Sequence, residues 1–369
     1  MAARSLLSLV LVVACVLVEE AQNAVAITLS SRLVHRFSDE AKALRASRST
    51  GDAKLVEDEA RLSSSVSVPF PSEGSDTASF GNDFGWLHYT WIDIGTPNVS
   101  FLVALDTGSD LLWVPCDCVK CAPLSATYYS NTLDRDLNEY SPSGSNTSKH
   151  VSCSHELCTA SPNCKSPKQP CPYTVEYFSE NTSTSGLLVE DVLHLVSGGD
   201  DASNNSIRAP VIIGCGMKQS GGYLDGIAPD GLMGLGLGEI SVPTFLAKAG
   251  LTANSFSICI DDEGSGRIFF GDQGPNTQQS TSFLPSNGNY ETYIVGVEAC
   301  CIGNSCLKQT SFRALVDSGT SFTFLPEEVY DKIAVEFDKR VNATIAVMQN
   351  LLGSTAIIPV LKNFPKCLL

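Results

Sequence analysis

The chain contains 369 residues, enough for two domains that each bury a core of their own. Its formal net charge of -16 at pH 7 argues against a nucleic-acid partner, because DNA and RNA are bound by basic surfaces. An acidic surface serves solubility in general, and it also fits an acidic compartment in which many surface carboxylates become neutral.

Residues 1–26 are predicted to form a signal peptide that is absent from the mature protein. Arg4 precedes an apolar run over residues 6–18, and the Ala-Val-Ala triplet at 24–26 is typical of a cleavage site. The run is too short to cross a bilayer, and no later stretch reaches the roughly 18 apolar residues of a span. We therefore expect a secretory protein without a transmembrane segment.

The cysteines and the N-x-S/T triplets agree with passage through an oxidising compartment. Removal of Cys15 with the signal peptide reduces 14 cysteines to 13, so at least one thiol has no partner within the chain. Cysteines 116, 118 and 121 are a weaker candidate for zinc than for disulfides. The candidate glycosylation sites are Asn98, Asn146, Asn181, Asn204 and Asn342.

Residues 27–83 have a different composition from the rest of the chain. They mix charges with Ala and Ser, contain no cysteine, and end in a stretch rich in Ser, Pro and Gly. We interpret them as a propeptide and a linker, with an unstructured N-terminal extension as the alternative.

From about residue 86 the pattern predicts a mainly β protein. A Gly turn at 264–266 between two apolar runs indicates a hairpin, and the boundary between two lobes is expected near residues 260–272. Helices are predicted only at 242–249 and 327–340. The predicted strands cover residues 91–94, 101–105, 111–114, 173–178, 187–196, 211–213, 257–260 and 267–270.

One local design occurs twice, because residues 101–115 align without a gap against residues 312–326. Each copy runs as apolar strand, Asp, hydroxyl residue, Gly, hydroxyl residue, apolar strand and Pro. A carboxylate at the end of an apolar strand is costly unless donors surround it, and the hydroxyl residues supply such donors on a tight Gly turn. The duplication predicts a pseudo-twofold molecule in which Asp106 and Asp317 meet between two lobes.

Such a pair of carboxyl groups suits peptide hydrolysis without a metal. Two carboxylates held close together cannot both ionise, so they share a proton, and one acts as base while the other acts as acid. Asp106 and Asp317 are therefore the predicted catalytic residues, and an isolated Asp in a turn is the alternative for each.

Several motifs carry a resemblance to the pepsin-like aspartic proteases. Asp-Thr-Gly-Ser at 106–109 and Asp-Ser-Gly-Thr-Ser at 317–321 resemble the family's two catalytic segments. Residues 230–236 resemble its apolar-apolar-Gly segment, which passes behind the first Asp loop. The cysteine-rich insert at 116–171 is similar to that of the plant nepenthesin-like, or atypical, subgroup. The resemblance implies an all-β, bilobal fold with a cleft between pseudo-twofold lobes.

The resemblance also implies roles for the residues around the two Asp side chains. Thr107 and Ser318 would hydrogen-bond across the pseudo-twofold axis, and a flap at residues 177–186 would cover the substrate. This flap departs from the family's Tyr-Gly-x-Gly-Ser motif and has no glycine before its last residue. The supporting residues are Thr107, Gly108, Ser109, Ser318, Gly319 and Thr320, and the flap and substrate-binding residues are Tyr177 and Trp113.

The predicted lobes are unequal in length. The first covers residues 84–262, and the second covers residues 263–369, with only 52 residues after Asp317. No second apolar-apolar-Gly segment with a surrounding strand pattern follows Asp317. We expect an incomplete second lobe, as in a truncated or alternatively spliced product, with a naturally compact lobe as the alternative.

The predicted function is a secreted aspartic endopeptidase of the apoplast or vacuole that acts at acidic pH. It would need no metal and no cofactor, bind a polypeptide substrate in extended conformation, and act as a monomer. A non-catalytic binding or inhibitor protein on the same scaffold is the alternative, and an inactive truncated isoform is a second one.

Overall fold

The computed structural model describes part of the chain: residues 29–33, 84, 87–129, 133, 135–159, 164–179, 181–196, 206–260, 266–271, 278–285, 292–302, 305–340, 347–348 and 356–357. The predicted signal peptide (1–26), most of the predicted propeptide, and the sequons at Asn204 and Asn342 lie outside these residues.

Strands dominate the described residues, which confirms the predicted all-β class. The strands are β1 (Leu29–Leu33), β2 (Tyr89–Ile94), β3 (Val99–Asp106), β4 (Leu112–Lys120), β5 (Lys149–His150), β6 (Pro172–Glu176), β7 (Ser183–Val196), β8 (Ser206–Ser220), β9 (Leu232–Gly234), β10 (Phe256–Ile260), β11 (Gly266–Phe270), β12 (Ile294–Val297), β13 (Cys301–Ile302), β14 (Ser305–Cys306), β15 (Phe312–Leu315), β16 (Val347–Met348) and β17 (Ala356–Ile357). The helices are α1 (Val242–Lys248) and α2 (Glu327–Arg340). Short 3₁₀ turns occur at Ala126–Tyr129, Pro142–Gly144 and Gly221–Tyr223.

Both helices occur where they were predicted, and each has a local cause. Ser241 precedes α1, which carries a proline in its first turn, where the missing amide hydrogen costs nothing. Pro326 precedes α2, whose first turn contains two glutamates that interact favourably with the helix dipole.

The strands between residues 89 and 234 form an eight-stranded sheet in the order β2-β3-β9-β4-β8-β7-β5, with β6 on β7. Because β2 also pairs with β7, the sheet curls back on itself. Strand β3 is buried on both faces: Phe101, Val103 and Leu105 enter one apolar core, whereas Leu102 and Ala104 enter the other. This double burial explains why β3 has a continuous apolar run and no alternation.

Strand β9 passes between β3 and β4 and supports the end of β3. It runs parallel to β3, with Leu105 opposite Met233 and Asp106 opposite Gly234. A Cβ atom at Gly234 would lie 2.2 Å from the carbonyl carbon of Asp110, so only glycine fits. The prediction that residues 230–236 pass behind the first Asp loop is confirmed.

Strand β1 lies within the predicted propeptide, where the sequence pattern predicted no strand. It pairs antiparallel with β11, from Leu29 opposite Phe270 to Leu33 opposite Gly266. The predicted hairpin of β10 and β11 is present, and β1 adds a third strand at its edge. The partner strand is more than 200 residues away in sequence, so local periodicity carries no signal for this pairing.

The second copy of the Asp design is far more exposed than the first. Strand β15 pairs only with β12, and no strand within the described residues supports it as β9 supports β3. The exposed fraction of Leu315 is 41%, against 0% for its counterpart Ala104, and that of Phe324 is 61%, against 0% for Trp113.

Five disulfides occur among the described residues. Cys118 and Cys121 bond to each other, and Cys116 bonds to Cys215, which confirms the preference for disulfides over zinc at these cysteines. Cys300 is a buried free thiol. The remaining pairs are Cys153–Cys164, Cys158–Cys171 and Cys301–Cys306. None of the helices described is both long and apolar enough to span a bilayer.

We expect the Cys116–Cys215 bond to stabilise the fold more than the Cys118–Cys121 bond. The first joins positions 99 residues apart and the second positions 3 apart, so the first restricts the unfolded chain more strongly. Replacing Cys116 and Cys215 with Ala should lower the free energy of unfolding by about 4 kcal/mol, against about 2 kcal/mol for Cys118 and Cys121. Urea denaturation of the two double variants checks this, and equal losses would contradict it.

Candidate active site

The carboxylate of Asp106 is held by the turn that follows β3. The backbone N–H of Gly108 donates to Oδ1 at 2.9 Å, and the hydroxyl of Ser109 donates to Oδ2 at 2.5 Å. The side chain is 4% exposed, so these donors replace the water that burial removes. The sequence pattern predicted these donors, and the described geometry contains them.

The turn after β15 repeats this arrangement around Asp317. The backbone N–H of Gly319 donates to Oδ1 at 2.8 Å, and the hydroxyl of Thr320 donates to Oδ2 at 2.5 Å. The two turns therefore have the same donors in the same order, as expected from the duplicated sequence.

Four hydrogen bonds join the two turns to each other. The hydroxyl of Thr107 donates to the carbonyl of Val316 at 2.9 Å and accepts from the N–H of Ser318 at 3.0 Å. In return, the hydroxyl of Ser318 donates to the carbonyl of Leu105 at 2.8 Å and accepts from the N–H of Thr107 at 3.0 Å. Each hydroxyl thus satisfies two backbone groups of the opposite turn, which holds the turns in one relative position.

The two glycines bring the carboxyl groups close together. A Cβ atom at Gly108 would lie 2.7 Å from the Asp317 carboxyl carbon, so a larger residue would displace it. A Cβ atom at Gly319 would lie 2.4 Å from Asp106 Oδ1 and 3.2 Å from Asp317 Oδ1. These two oxygens are therefore at most 5.6 Å apart, the sum of the two distances. One water molecule or one carbonyl group can contact both carboxyl groups.

The environment of Asp106 strongly favours its protonated form. Burial and the neighbouring charge of Asp317 raise the pKa of Asp106 from 3.8 to about 7. A side-chain hydrogen bond with Asp317 adds to this rise, whereas the bonds from Ser109 and Gly108 lower the pKa and offset only part of it. The pair therefore retains a proton throughout the acidic range.

The predicted flap, residues 177–186, forms the end of the β6–β7 hairpin. The indole N–H of Trp113 donates to the hydroxyl of Tyr177 at 3.0 Å, so the two predicted flap and substrate-binding residues are in contact. The backbone N–H of Tyr177 donates to the carbonyl of Thr182 at 2.9 Å and closes the turn. Asn181 has a φ of 55°, a left-handed conformation that asparagine tolerates well.

Three of the five sequons lie in the described part of the chain. Asn98, Asn146 and Asn181 are all exposed. The side-chain amide of Asn98 donates to Asp93 at 3.0 Å. Exposure is what attachment of a glycan requires, so all three stay candidates.

Sequence reasoning missed Tyr223, which contacts both Trp113 and Tyr177. Its ring lies 4.9 Å from Trp113 and 5.0 Å from Tyr177 between ring centroids, with its side chain only 4% exposed. It lies on the 3₁₀ turn Gly221–Tyr223, between β8 and β9. A lone tyrosine after two glycines carries no periodic signal, so only the fold reveals this contact.

Comparison with known proteins shows which sequences this chain is similar to. A family model described as Xylanase inhibitor N-terminal matches residues 88–272. The chain is 60% identical to Aspartic proteinase-like protein 1 of Arabidopsis thaliana, over 89% of this chain and 66% of that protein. It is 46% identical to Aspartyl protease family protein 1 of the same plant, over 74% and 53%. It is 25% identical to Aspartic proteinase nepenthesin-2 of Nepenthes gracilis, over 77% and 62%. The chain thus spans less than two thirds of the length of each of these relatives.

The raised pKa of Asp106 predicts how stability depends on pH. The folded protein binds this proton more tightly than the unfolded chain, so the stabilisation is complete below about pH 4 and is lost as the pH rises through about 7. The free energy of unfolding should therefore fall across this range, and Asp106→Asn should remove about 2–4 kcal/mol of that fall. Urea denaturation from pH 4 to pH 8 measures it.

Asp225→Asn is the matched control, since Asp225 is an exposed carboxylate of the same lobe. It should leave the pH dependence as in the wild type. A pH dependence that is the same in Asp106→Asn as in the wild type would contradict the raised pKa.

Proposed function

Because this chain belongs to the pepsin-like aspartic protease family, we propose that it is an endopeptidase in which Asp106 and Asp317 activate the water that cleaves the peptide bond. The observation that carries the proposal is the pair of equivalent Asp turns, joined through Thr107 and Ser318, with the two Oδ1 atoms at most 5.6 Å apart. A carboxylate that only closes a turn has no need of a second one facing it.

The proposed reaction uses the single proton that the pair retains. The ionised carboxyl takes a proton from a water molecule, whose oxygen attacks the carbonyl carbon of the peptide bond. The protonated carboxyl donates its proton to the carbonyl oxygen, which gives a neutral tetrahedral intermediate. The carboxyl that took a proton from water then donates it to the leaving nitrogen, while the other carboxylate takes a hydroxyl proton from the intermediate. The C–N bond breaks, and the pair again holds a single proton. The titration belongs to the pair, so we assign neither role permanently to one residue.

The supporting residues each have a defined part in this proposal. Ser109 and Thr320 keep the outer carboxylate oxygens oriented, so that the inner ones face the water. Tyr177 of the flap would cover the substrate while Trp113 holds its hydroxyl. A polypeptide substrate in extended conformation would lie along the cleft between the two turns. We propose activity in the acidic range, where the pair retains its proton, and action as a monomer.

We propose the processing and location of the chain on the same grounds. Residues 1–26 would be a signal peptide, 27–83 a propeptide and linker, 84–262 the first lobe and 263–369 part of the second lobe. The disulfides favour an oxidising compartment, so the apoplast or the vacuole is the proposed destination, with glycans at exposed sequons.

Replacement of Asp106 or Asp317 with Asn should abolish proteolysis. Each variant removes one half of the acid–base pair, and the rate of cleavage of a denatured protein at about pH 4 should fall about 1,000-fold or more. The products are identified by mass spectrometry, and a statine-containing peptide should inhibit the wild type. Asp225→Asn, which changes an exposed carboxylate, should retain full activity.

The same assay separates the proposal from its rivals. Wild-type rates in Asp106→Asn would eliminate the pair from the mechanism. A folded, correctly processed wild-type chain that cleaves nothing but still binds the statine-containing peptide would indicate a binding protein on this scaffold. A chain that neither cleaves nor binds that peptide would indicate an inactive product.

A further inference from the structure

The geometry points to Tyr223 as a positioning residue that holds Tyr177 in place above the two carboxyl groups. This role rests on the proposed endopeptidase function and deepens it, since it names a residue outside the Asp turns on which the reaction would depend. Tyr223 would act through Tyr177 and would not contact the reacting atoms itself.

Three aromatic side chains pack against one another at the base of the flap. The ring of Tyr223 meets Trp113 at 61° and Tyr177 at 85°, both edge to face, with centroids 4.9 and 5.0 Å apart. Edge-to-face pairs of this kind are favourable and orient the rings relative to each other. Tyr223 therefore restricts the same ring whose hydroxyl Trp113 binds.

The hydroxyl of Tyr223 reinforces this packing. A side-chain hydrogen bond with Tyr223 lowers the pKa of Tyr177, while the same bond raises the pKa of Tyr223, behind the larger effect of burial on each residue. The two hydroxyls are hydrogen-bonded to each other. The indole N–H of Trp113 donates to the oxygen of Tyr177 as well. The hydroxyl of Tyr177 is thus held by both Trp113 and Tyr223.

The residues just before Tyr223 contact the turn of the flap. The N–H of Gly222 donates to the hydroxyl of Thr182 at 3.1 Å, and the hydroxyl of Ser220 donates to the carbonyl of Asn181 at 2.6 Å. A Cβ atom at Gly221 would lie 2.6 Å from that carbonyl, so glycine permits the close approach. One short segment, residues 220–223, thus contacts the flap both at Tyr177 and at its turn.

The test compares Tyr223→Phe with Tyr129→Phe. Tyr129 is 1% exposed in the same apolar core and donates its hydroxyl to the carbonyl of Pro123, so its loss has a similar structural cost without touching Tyr177. Tyr223→Phe should lower kcat three- to tenfold, about the net effect of one hydrogen bond, with KM changed less than about twofold. Tyr129→Phe should leave both constants unchanged.

A second measurement does not depend on activity. Amide hydrogen exchange in the flap should be faster in Tyr223→Phe than in the wild type, because the N–H of Tyr177 is bonded within the flap turn. Tyr129→Phe should not change it. Faster flap exchange with unchanged kcat would reduce Tyr223 to a structural residue and overturn the inference.

The two measurements keep the two hypotheses apart. If the wild type cleaves no substrate, the proposed function fails, and flap exchange alone then decides whether Tyr223 holds Tyr177. If the wild type is active and Tyr223→Phe matches it in both kcat and flap exchange, the positioning role is wrong while the endopeptidase stands.

Discussion

The hydroxyls of Thr107 and Ser318 form the contact on which the rest of the site depends. Each one donates to a backbone carbonyl and accepts from a backbone N–H of the opposite turn, so four polar groups are satisfied by two side chains. Loss of either hydroxyl would leave buried groups without partners, which costs more than the bond itself is worth. The separation of the two carboxyl groups, and with it their shared proton, follows from this contact.

Glycines make the arrangement possible by letting main chains and carboxyl groups approach closely. At Gly234 a Cβ atom would collide with the backbone of Asp110, and at Gly319 it would collide with the Asp106 carboxylate. Strand β9 can therefore support the first Asp loop from behind while the second loop closes from the front. Both constraints are steric, so these positions tolerate no side chain. The same reason explains why the two Asp turns carry Gly108 and Gly319, since a Cβ atom at either would collide with the opposite carboxyl group.

The two copies of the Asp design show that sequence similarity does not guarantee equal burial. In the first copy β3 lies between β2 and β9, β4 lies between β9 and β8, and residues 101–105 and 111–114 are buried. In the second copy Leu315 and Phe324 are exposed. The local turn chemistry is nevertheless the same in both, with the same donors on each carboxylate. Local hydrogen bonding thus forms wherever the turn sequence occurs, but burial requires strands from elsewhere.

Sequence alone identified the two carboxylates, their hydroxyl and glycine neighbours, the predominance of strands and both helices, because all of these depend on residues within a few positions of each other. It also indicated the disulfide-forming character of the cysteines, but not that Cys116 would bond to Cys215, 99 positions away. The place of Tyr223 against Tyr177, the β1–β11 pairing and the raised pKa of Asp106 were decided by tertiary structure. These features arise from contacts between distant segments, and such contacts exist only after the chain has folded.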